Sequence, residues 1–548
     1  MKSISVVMPV YNGAKYIRES IESVLMQTFK DFEFIIVDDG STDNTESIIK
    51  SYIDNRIVYI KKNHSGISDT LNMGIKKSSG KYIGRMDADD MMYFDRLDYQ
   101  YNWMENHADV DIMGAGFEWG NGKEETEYFN PGNYCVTKQI LMDSNKIGHP
   151  TVIMRRSSIM KLLFLYETIY NGAEDYKLWM TAITHGLKIY NTSHIVNYYR
   201  QHNDQETVKK YYIGADNVKR VQRAYTNKNE NSKSKLTVII PFQNETYEVE
   251  KTVMSVRATA NDVKIILIND NSTQDYNYKR IAEIFGCDYY ENKTNLGVAG
   301  SRDFGVAHCT TPYFMLLDAH MRLYDDNWDL QLIKLLDDNK DRILCSNTVI
   351  ISKDDNGVYD NEDGHKRLTN VYGAFVNMSE SGHEYTAKWA YKNIDNNDNN
   401  IIRTPCVLGA AYTSSVEWWN KIGGLHGLIK YGLDEPLMSI KTWLAGGEVL
   451  LLKDWGVGHL YRSKFTYPVT CTQVDCNQLF LINMFSPEDK KPIYIENLKK
   501  RIGDKAFNMT QKLYNSHIDE FNRYIEEFNK VKKYDIDYFL NEINSKAI

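Results

Sequence analysis

The sequence predicts a doubled α/β protein, with two Rossmann-like, parallel-sheet domains in tandem followed by a C-terminal helical extension. Three observations carry that expectation. The chain has 548 residues, more than a single hydrophobic core serves. One motif-bearing segment occurs twice. Within each copy short apolar strands alternate with amphipathic helices, the pattern of a parallel sheet covered by helices.

The repeat fixes the order of the elements. ISVVMPVYNGAKYIRESIESVL returns as LTVIIPFQNETYEVEKTVMSVR and aligns Pro9 with Pro241; VDDGST, holding Asp38 and Asp39, corresponds to INDNST, holding Asp270. Asp87 follows Asp39 at the same interval at which Asp318 follows Asp270, and Gly66 with Gly297, Gly74 with Gly305 and Tyr82 with Tyr313 keep step. A register held that long reads as duplication. In the first copy Ile4 to Val10 is the first strand, Tyr16 to Gln27 the helix, and Glu33 to Asp39 the second strand. Ligands of such sheets lie beyond the carboxyl ends of the strands, where Asp38, Asp39, Asp87 and Asp89 fall. Polar TNKNENSKSK has no apolar period and is read as a linker, 226–235, between domains 1–225 and 236–468. DNNDNN, 395–400, reads as a solvated loop. Past Pro468 the sequence turns charged and helical. Ile518, Phe521, Tyr524, Ile525 and Phe528 form one stripe, so 469–548 is expected to dock by that face.

Bulk properties exclude several classes. With 42% hydrophobic and 25% charged residues and a net charge of -8, the composition is globular and offers no field for gathering nucleic acid. No GxGxxG follows the first strand of either copy, which sets hydride-transfer chemistry aside. Seven cysteines without a CxxC pair argue against a disulfide framework or a cysteine zinc site and are read as packing residues. No apolar run reaches membrane-spanning length, and the N-terminus lacks a signal-peptide layout. The expected location is cytoplasmic, with a peripheral position at the inner face of a membrane as the alternative. A homo-oligomer is left open.

Acids one residue apart, Asp87 and Asp89 in MDADD, can share one hard divalent cation and leave a face open to diphosphate oxygens. Asp318 stands beside His320 in LDAHM; imidazole with carboxylate suits manganese better than magnesium. His459 in VGHLYR is a candidate third ligand.

PVYNGAKYIRESIESVLMQTF, IIVDDGSTDNT and MDADD resemble the nucleotide-sugar fold of family 2 glycosyltransferases, over about residues 1 to 205. GHPTVIMRRS and NGAEDYKLWM are similar to that family's acceptor-side segments, and Asp175 matches its general base. NLGVAGSRDFGVAHCTTPYFMLLDAH, LGAAYTSSVEWWNKIGGL, YGLDEPLMSIKTWLAGGEVLLL and VGHLYR resemble the catalytic domain of polypeptide N-acetylgalactosaminyltransferases, over about residues 235 to 465. The resemblance implies two GT-A domains, each with one Mn2+ or Mg2+. Its ligands are Asp87 and Asp89 in the first domain and Asp318, His320 and His459 in the second. It implies nucleotide-sugar contacts at Pro9, Asp38, Asp39 and Asp87, and at Pro241, Asp270, Gly297, Arg302 and Asp318. Asp175 and Glu435 are the implied catalytic acids, with Glu435 on the glutamate of a sugar-binding GGE segment. YGLDEP replaces that family's WGGEN-like stretch, and Thr294 to Gly297 replaces its Arg-Glu-Gly segment. The expected activity is a metal-dependent bifunctional transfer from UDP-sugars to a glycan, lipid-linked glycan or glycoprotein acceptor, as in building a bacterial surface polymer. The first domain is expected to invert. The second is expected to retain, using an N-acetylhexosamine-type donor. Two alternatives are a two-site polymerase resembling chondroitin synthases and one active module beside an inactive glycan-binding or scaffolding one. A water-excluding loop is expected at 454–467.

Overall fold

The computed structural model describes residues 2–121, 126–162, 165–202, 205, 211–226, 233–353, 359–362, 364, 366, 371–394, 399–407, 411–462 and 469–548. It forms two compact units, Met1–Gln222 and Arg223–Ile548. Most of the expected linker, residues 395–398 of the DNNDNN loop, and 463–467 of the expected mobile loop lie outside the described residues.

In the first unit the elements that place the site are β1 (Ile4–Val10), α1 (Ile17–Leu25), β2 (Phe32–Asp38), β3 (Ile57–Lys61), α2 (Ile67–Lys77), β4 (Tyr82–Arg85), β5 (Ile112–Gly120), β6 (Ile153–Arg155), α3 (Glu174–Thr184) and β7 (Ile189–Arg200). The sheet runs β3-β2-β1-β4-β6-β5-β7 and ends on Met91–Met92. Its first four strands are parallel, and β6 is antiparallel to both neighbours. β1 is buried along its whole length. Helices therefore cover both of its faces, and its sequence is continuously apolar instead of alternating. α1 buries Ile17, Ser20, Ile21 and Val24 at helical spacing. The second strand is one residue earlier than the sequence predicts: Asp38 closes β2, and Asp39 opens the loop, its N–H bonding to Val10 O at 2.8 Å.

The second unit repeats this order with β8 (Leu236–Phe242), α4 (Tyr247–Thr259), β9 (Lys264–Asn269), β10 (Asp288–Glu291), α5 (Gly297–Ala307), β11 (Tyr313–Leu317), β12 (Arg342–Lys353), β13 (Ala411–Ser415), α6 (Asp434–Leu444) and β14 (Glu448–Leu460). The sheet runs β10-β9-β8-β11-β13-β12-β14 and ends on Met321–Leu323. The paired helix glycines have the same packing reason in both units. A Cβ on Gly74 would stand 2.4 Å from Val7, and one on Gly305 would stand 2.3 Å from Ile239. A bare glycine lets each helix press onto the first strand.

The tail begins with α7 (Cys471–Phe485) and includes α8 (Ile518–Asn529). The expected stripe is a docking face. Phe521 and Phe528 join one buried core with Trp418, Leu437 and Phe480, and Ile518, Tyr524 and Ile525 pack against it. Among the described residues no helix is long and apolar enough to cross a membrane.

Candidate active sites

Both sites begin with one carboxylate that organises a loop. Asp39 accepts from Ser65 N–H and Gly66 N–H, each at 2.9 Å, and is paired with Lys62. Asp270 accepts from Leu296 N–H and Gly297 N–H, each at 2.8 Å, and from the side chains of Asn292 and Asn295. Gly66 and Gly297 carry φ of 95° and 75°, the left-handed region that glycine enters freely. This is why each amide can turn back onto its acid. Asp38 is fully buried and uses both oxygens within the fold, on Ser41 N–H at 2.8 Å and Tyr59 OH at 2.7 Å. Pro9 and Pro241 lie one residue before the ends of β1 and β8. A cleft of about 610 Å³, lined by Gly40, Ser41, Lys61, Lys62, Asn63 and His64, opens beside Asp39. Half-exposed Tyr11 stacks on His64 at 4.3 Å, a flat surface next to that cleft.

The acidic motifs differ. Asp87 is turned to the buried Arg85 guanidinium, while Asp89 Oδ2 lies 2.9 Å from His202 Nε2. Burial pushes the Asp87 carboxyl up; Arg85 opposes it and Asp89 reinforces it. Asp90 is pushed far up by burial and by its two acidic neighbours. Such crowding fits a cation at this place. In the second unit the donor atoms of Asp318, His320 and His459 all lie within 4.8 Å of one another, the one group of at least three candidate metal donors among the described residues. His459 is pushed down to about 4 by burial and by His320, so it is neutral and able to ligate. Its Nδ1 is buried without a hydrogen-bond partner. One carboxylate and two imidazoles fit Mn2+. Burial raises the Asp318 carboxyl, but Arg302, His320 and His459 outweigh it and the net shift is downward. Arg302 binds Asp318 at 2.7 Å and pairs with Asp434. Glu245 lies 3.4 Å from His320 Nδ1 and 2.7 Å from Arg462.

Both catalytic candidates sit in the first turn of a helix, α3 and α6. Asp175 accepts from Asn145 at 3.1 Å and from Tyr176 N–H at 2.7 Å, and burial raises its carboxyl. Glu174 is pushed up to about 6 by burial and by Asp175. Glu435 accepts from Tyr412 OH at 2.9 Å and is pushed up to about 8 by burial and Asp434.

The family model described as Glycosyl transferase family 2 matches residues 5–164 and 237–399, one stretch in each unit and more than half of the chain. The chain belongs to glycosyl transferase family 2. A Rickettsia bellii protein described as an uncharacterized glycosyltransferase is 28% identical over 421 residues, covering 65% of this chain and 58% of that relative. The chain thus spans less than two thirds of that relative's length. An Escherichia coli protein, the UDP-Glc:alpha-D-GlcNAc-diphosphoundecaprenol beta-1,3-glucosyltransferase WfaP, is 31% identical over 216 residues, or 38% of this chain and 82% of WfaP. Among solved structures, GalNAc-T7 with UDP, GalNAc and Mn2+ has a TM-score of 0.44 at 19% identity, covering 57% of each chain.

Several residues of these two family 2 sites carry no signal in the motifs. His202 lies in NYYRQH, two residues past the end of β7 and outside the acidic motifs. Glu245 and Tyr412 become partners of the site only through space, whereas Arg85 stands directly before MDADD.

Proposed function

We propose that the protein is a bifunctional, metal-dependent glycosyltransferase with one nucleotide-sugar site in each unit, UDP-sugars as donors and a glycan, lipid-linked glycan or glycoprotein as acceptor. The observation that carries this reading is the doubled arrangement of a loop-organising acid, an acidic motif and a helix-start acid on one sheet order. WfaP is named for UDP-Glc and a lipid-linked GlcNAc acceptor, which favours the same chemical classes here.

In the first unit, Asp89 with His202, and Asp87 on its arginine, would hold the cation; in the second, Asp318, His320 and His459. Mn2+ or Mg2+ bound there offsets the charge of the departing diphosphate. Asp175 faces the acceptor side and takes the proton of the attacking hydroxyl, which inverts the anomeric centre. Asn145 holds its carboxylate for that role. For the second unit, the resemblance to N-acetylgalactosaminyltransferases favours retention with an N-acetylhexosamine-type donor. A specific observation favours a second reading: Glu435 occupies the helix-start position that Asp175 occupies, which suits a base and inversion.

The test is a panel of UDP- and GDP-sugars with Mn2+, using the full chain and the Asp175→Asn and Glu435→Gln variants, with product anomers read by NMR. The expected result is two sugars transferred, each lost in one variant. Transfer of neither sugar, or both transfers surviving both substitutions, refutes the proposal. An α product from an α donor at the second site supports retention, and a β product supports the base reading of Glu435.

A further inference from the structure

The tail fastens the loop that leads into the helix-start acids of the second unit. Asn477 of α7 is fully buried and commits its whole amide to one loop. Oδ1 accepts from Ile429 N–H at 2.7 Å, and Nδ2 lies 3.1, 3.0 and 3.1 Å from the carbonyls of Ile429, Tyr431 and Gly432. The two amide protons are therefore shared among three acceptors. The same face of α7 continues the contact. A Cβ on Gly432 would stand 3.5 Å from Val474, and one on Gly427 would stand 2.1 Å from Phe480. Val474, Asn477 and Phe480 recur at three-residue spacing, as one helix face requires.

The loop they hold is conformationally demanding. Lys430, Gly432 and Leu433 have φ of 56°, 96° and 68°, a region that residues with a Cβ occupy only when their surroundings fix them there. Leu433 is the N-cap of α6, so the loop delivers Asp434 and Glu435 directly. Its other side meets the nucleotide-side loop. Lys430 O accepts from Ala299 N–H at 3.0 Å, and a Cβ on Gly297 would stand 2.3 Å from Lys430 Cα. Gly297 is the residue whose amide binds Asp270. One strained segment thus links the Asp270 loop to the helix-start acids, and a tail residue fastens it.

We propose that Asn477 is a positioning residue of the second transfer site: it fixes the 429–433 loop and, through it, the placement of Glu435 against the donor. The proposal rests on the reading of the second unit as a transfer site. The hydrogen bonds of the Asn477 amide go to Ile429, Tyr431 and Gly432, and none goes to Asp318, His320 or His459. Asn477 acts by geometry, and a small displacement of a reacting group is costly: a misplacement of about 1 Å lowers turnover by roughly 100-fold.

The test uses the full chain with Asn477→Ala and Asn477→Asp. The second variant keeps size and the acceptor oxygen but removes the donors to three carbonyls. Hydrogen exchange at 429–435, Mn2+ affinity, and kcat and KM for the donor whose transfer depends on Glu435 are measured for each. Both variants are expected to speed exchange at 429–435 and leave Mn2+ affinity unchanged. They are expected to lower kcat about 10- to 100-fold with KM within about 3-fold, the pattern of a lost transition-state interaction. Combined with Glu435→Gln, Asn477→Ala is expected to add little, because both act on one group. Unchanged exchange and kcat in Asn477→Asp overturn the proposal, as does a loss that adds in full to that of Glu435→Gln. If Glu435→Gln leaves transfer intact while exchange still rises at 429–435, the catalytic reading of Glu435 fails and the fastening of the loop by Asn477 stands.

Discussion

The two sheets match strand for strand, yet the first acid of each acidic motif is neutralised from a different direction. In the first unit Arg85 comes from β4, two residues before Asp87. In the second the matching strand position is Leu316, and the cation is Arg302 from α5, where the first unit has Leu71. A duplicated fold fixes where charge must be balanced and leaves open which element supplies it. The difference has consequences, because Arg302 also holds Asp434 beside the catalytic candidate, whereas Arg85 serves the acids of MDADD. The surface beside the Asp39 and Asp270 loops diverges as well: Tyr11 and His64 stack in the first unit, and the register places Gln243 and Asn295 there in the second.

The largest effect expected from this comparison is on chemistry. Asp175→Asn should lower the first transfer by about 1000-fold, within the range for removing a general base, and leave the second untouched. Single-donor turnover measures it, and an equal loss in both transfers would mean that the units are not separate sites.

Arginine removal comes next. Arg302→Leu strands two acids and Arg85→Leu strands one, and breaking a buried pair costs about 3–5 kcal/mol. Thermal melts should therefore show the larger loss for Arg302→Leu. Equal losses break the asymmetry drawn above.

The pH profiles should also separate. A carboxyl whose pKa is raised is protonated below that value, so activity that needs its anion rises with pH through it. Burial raises the Asp175 carboxyl from its ordinary value, and Glu435 is pushed up to about 8 by burial and Asp434. The rising limb of kcat/KM for the second transfer should lie near pH 8, above that of the first. Superimposed limbs would contradict the assignment of these acids.

The smallest effect concerns the paired glycines. Gly66 has open space around a Cβ, so Gly66→Ala should cost only the strain of positive φ, about 1–3 kcal/mol. Gly297→Ala should cost more, since its Cβ would strike Lys430. Denaturant midpoints distinguish the two.

Much of the fold was legible because the strands are continuously apolar and Asp39, Gly66, Gly74, Tyr82 and Asp87 recur in register as Asp270, Gly297, Gly305, Tyr313 and Asp318. Asp39 and Asp270, the acidic motifs and His459 could be picked out because each is tied to a strand end. The rest depends on contacts that sequence distance hides. His202 meets Asp89 from far along the chain, Glu245 reaches His320 from the loop after β8, and Asn477 precedes the apolar stripe by which the tail was expected to dock. The second strand was misplaced by one residue because the Asp38-Asp39 pair does not reveal which acid closes the strand and which opens the loop.

The central claim is that one fold is used twice, with two independent metal-assisted sites. Its most direct test is Mn2+-dependent transfer of each sugar by wild type, Asp89→Asn and His320→Ala. The account predicts that Asp89→Asn abolishes one transfer and His320→Ala the other, each leaving its counterpart within about 2-fold, since sites without shared partners behave additively. Loss of the same single transfer in both variants, with no second sugar transferred by wild type, would contradict it.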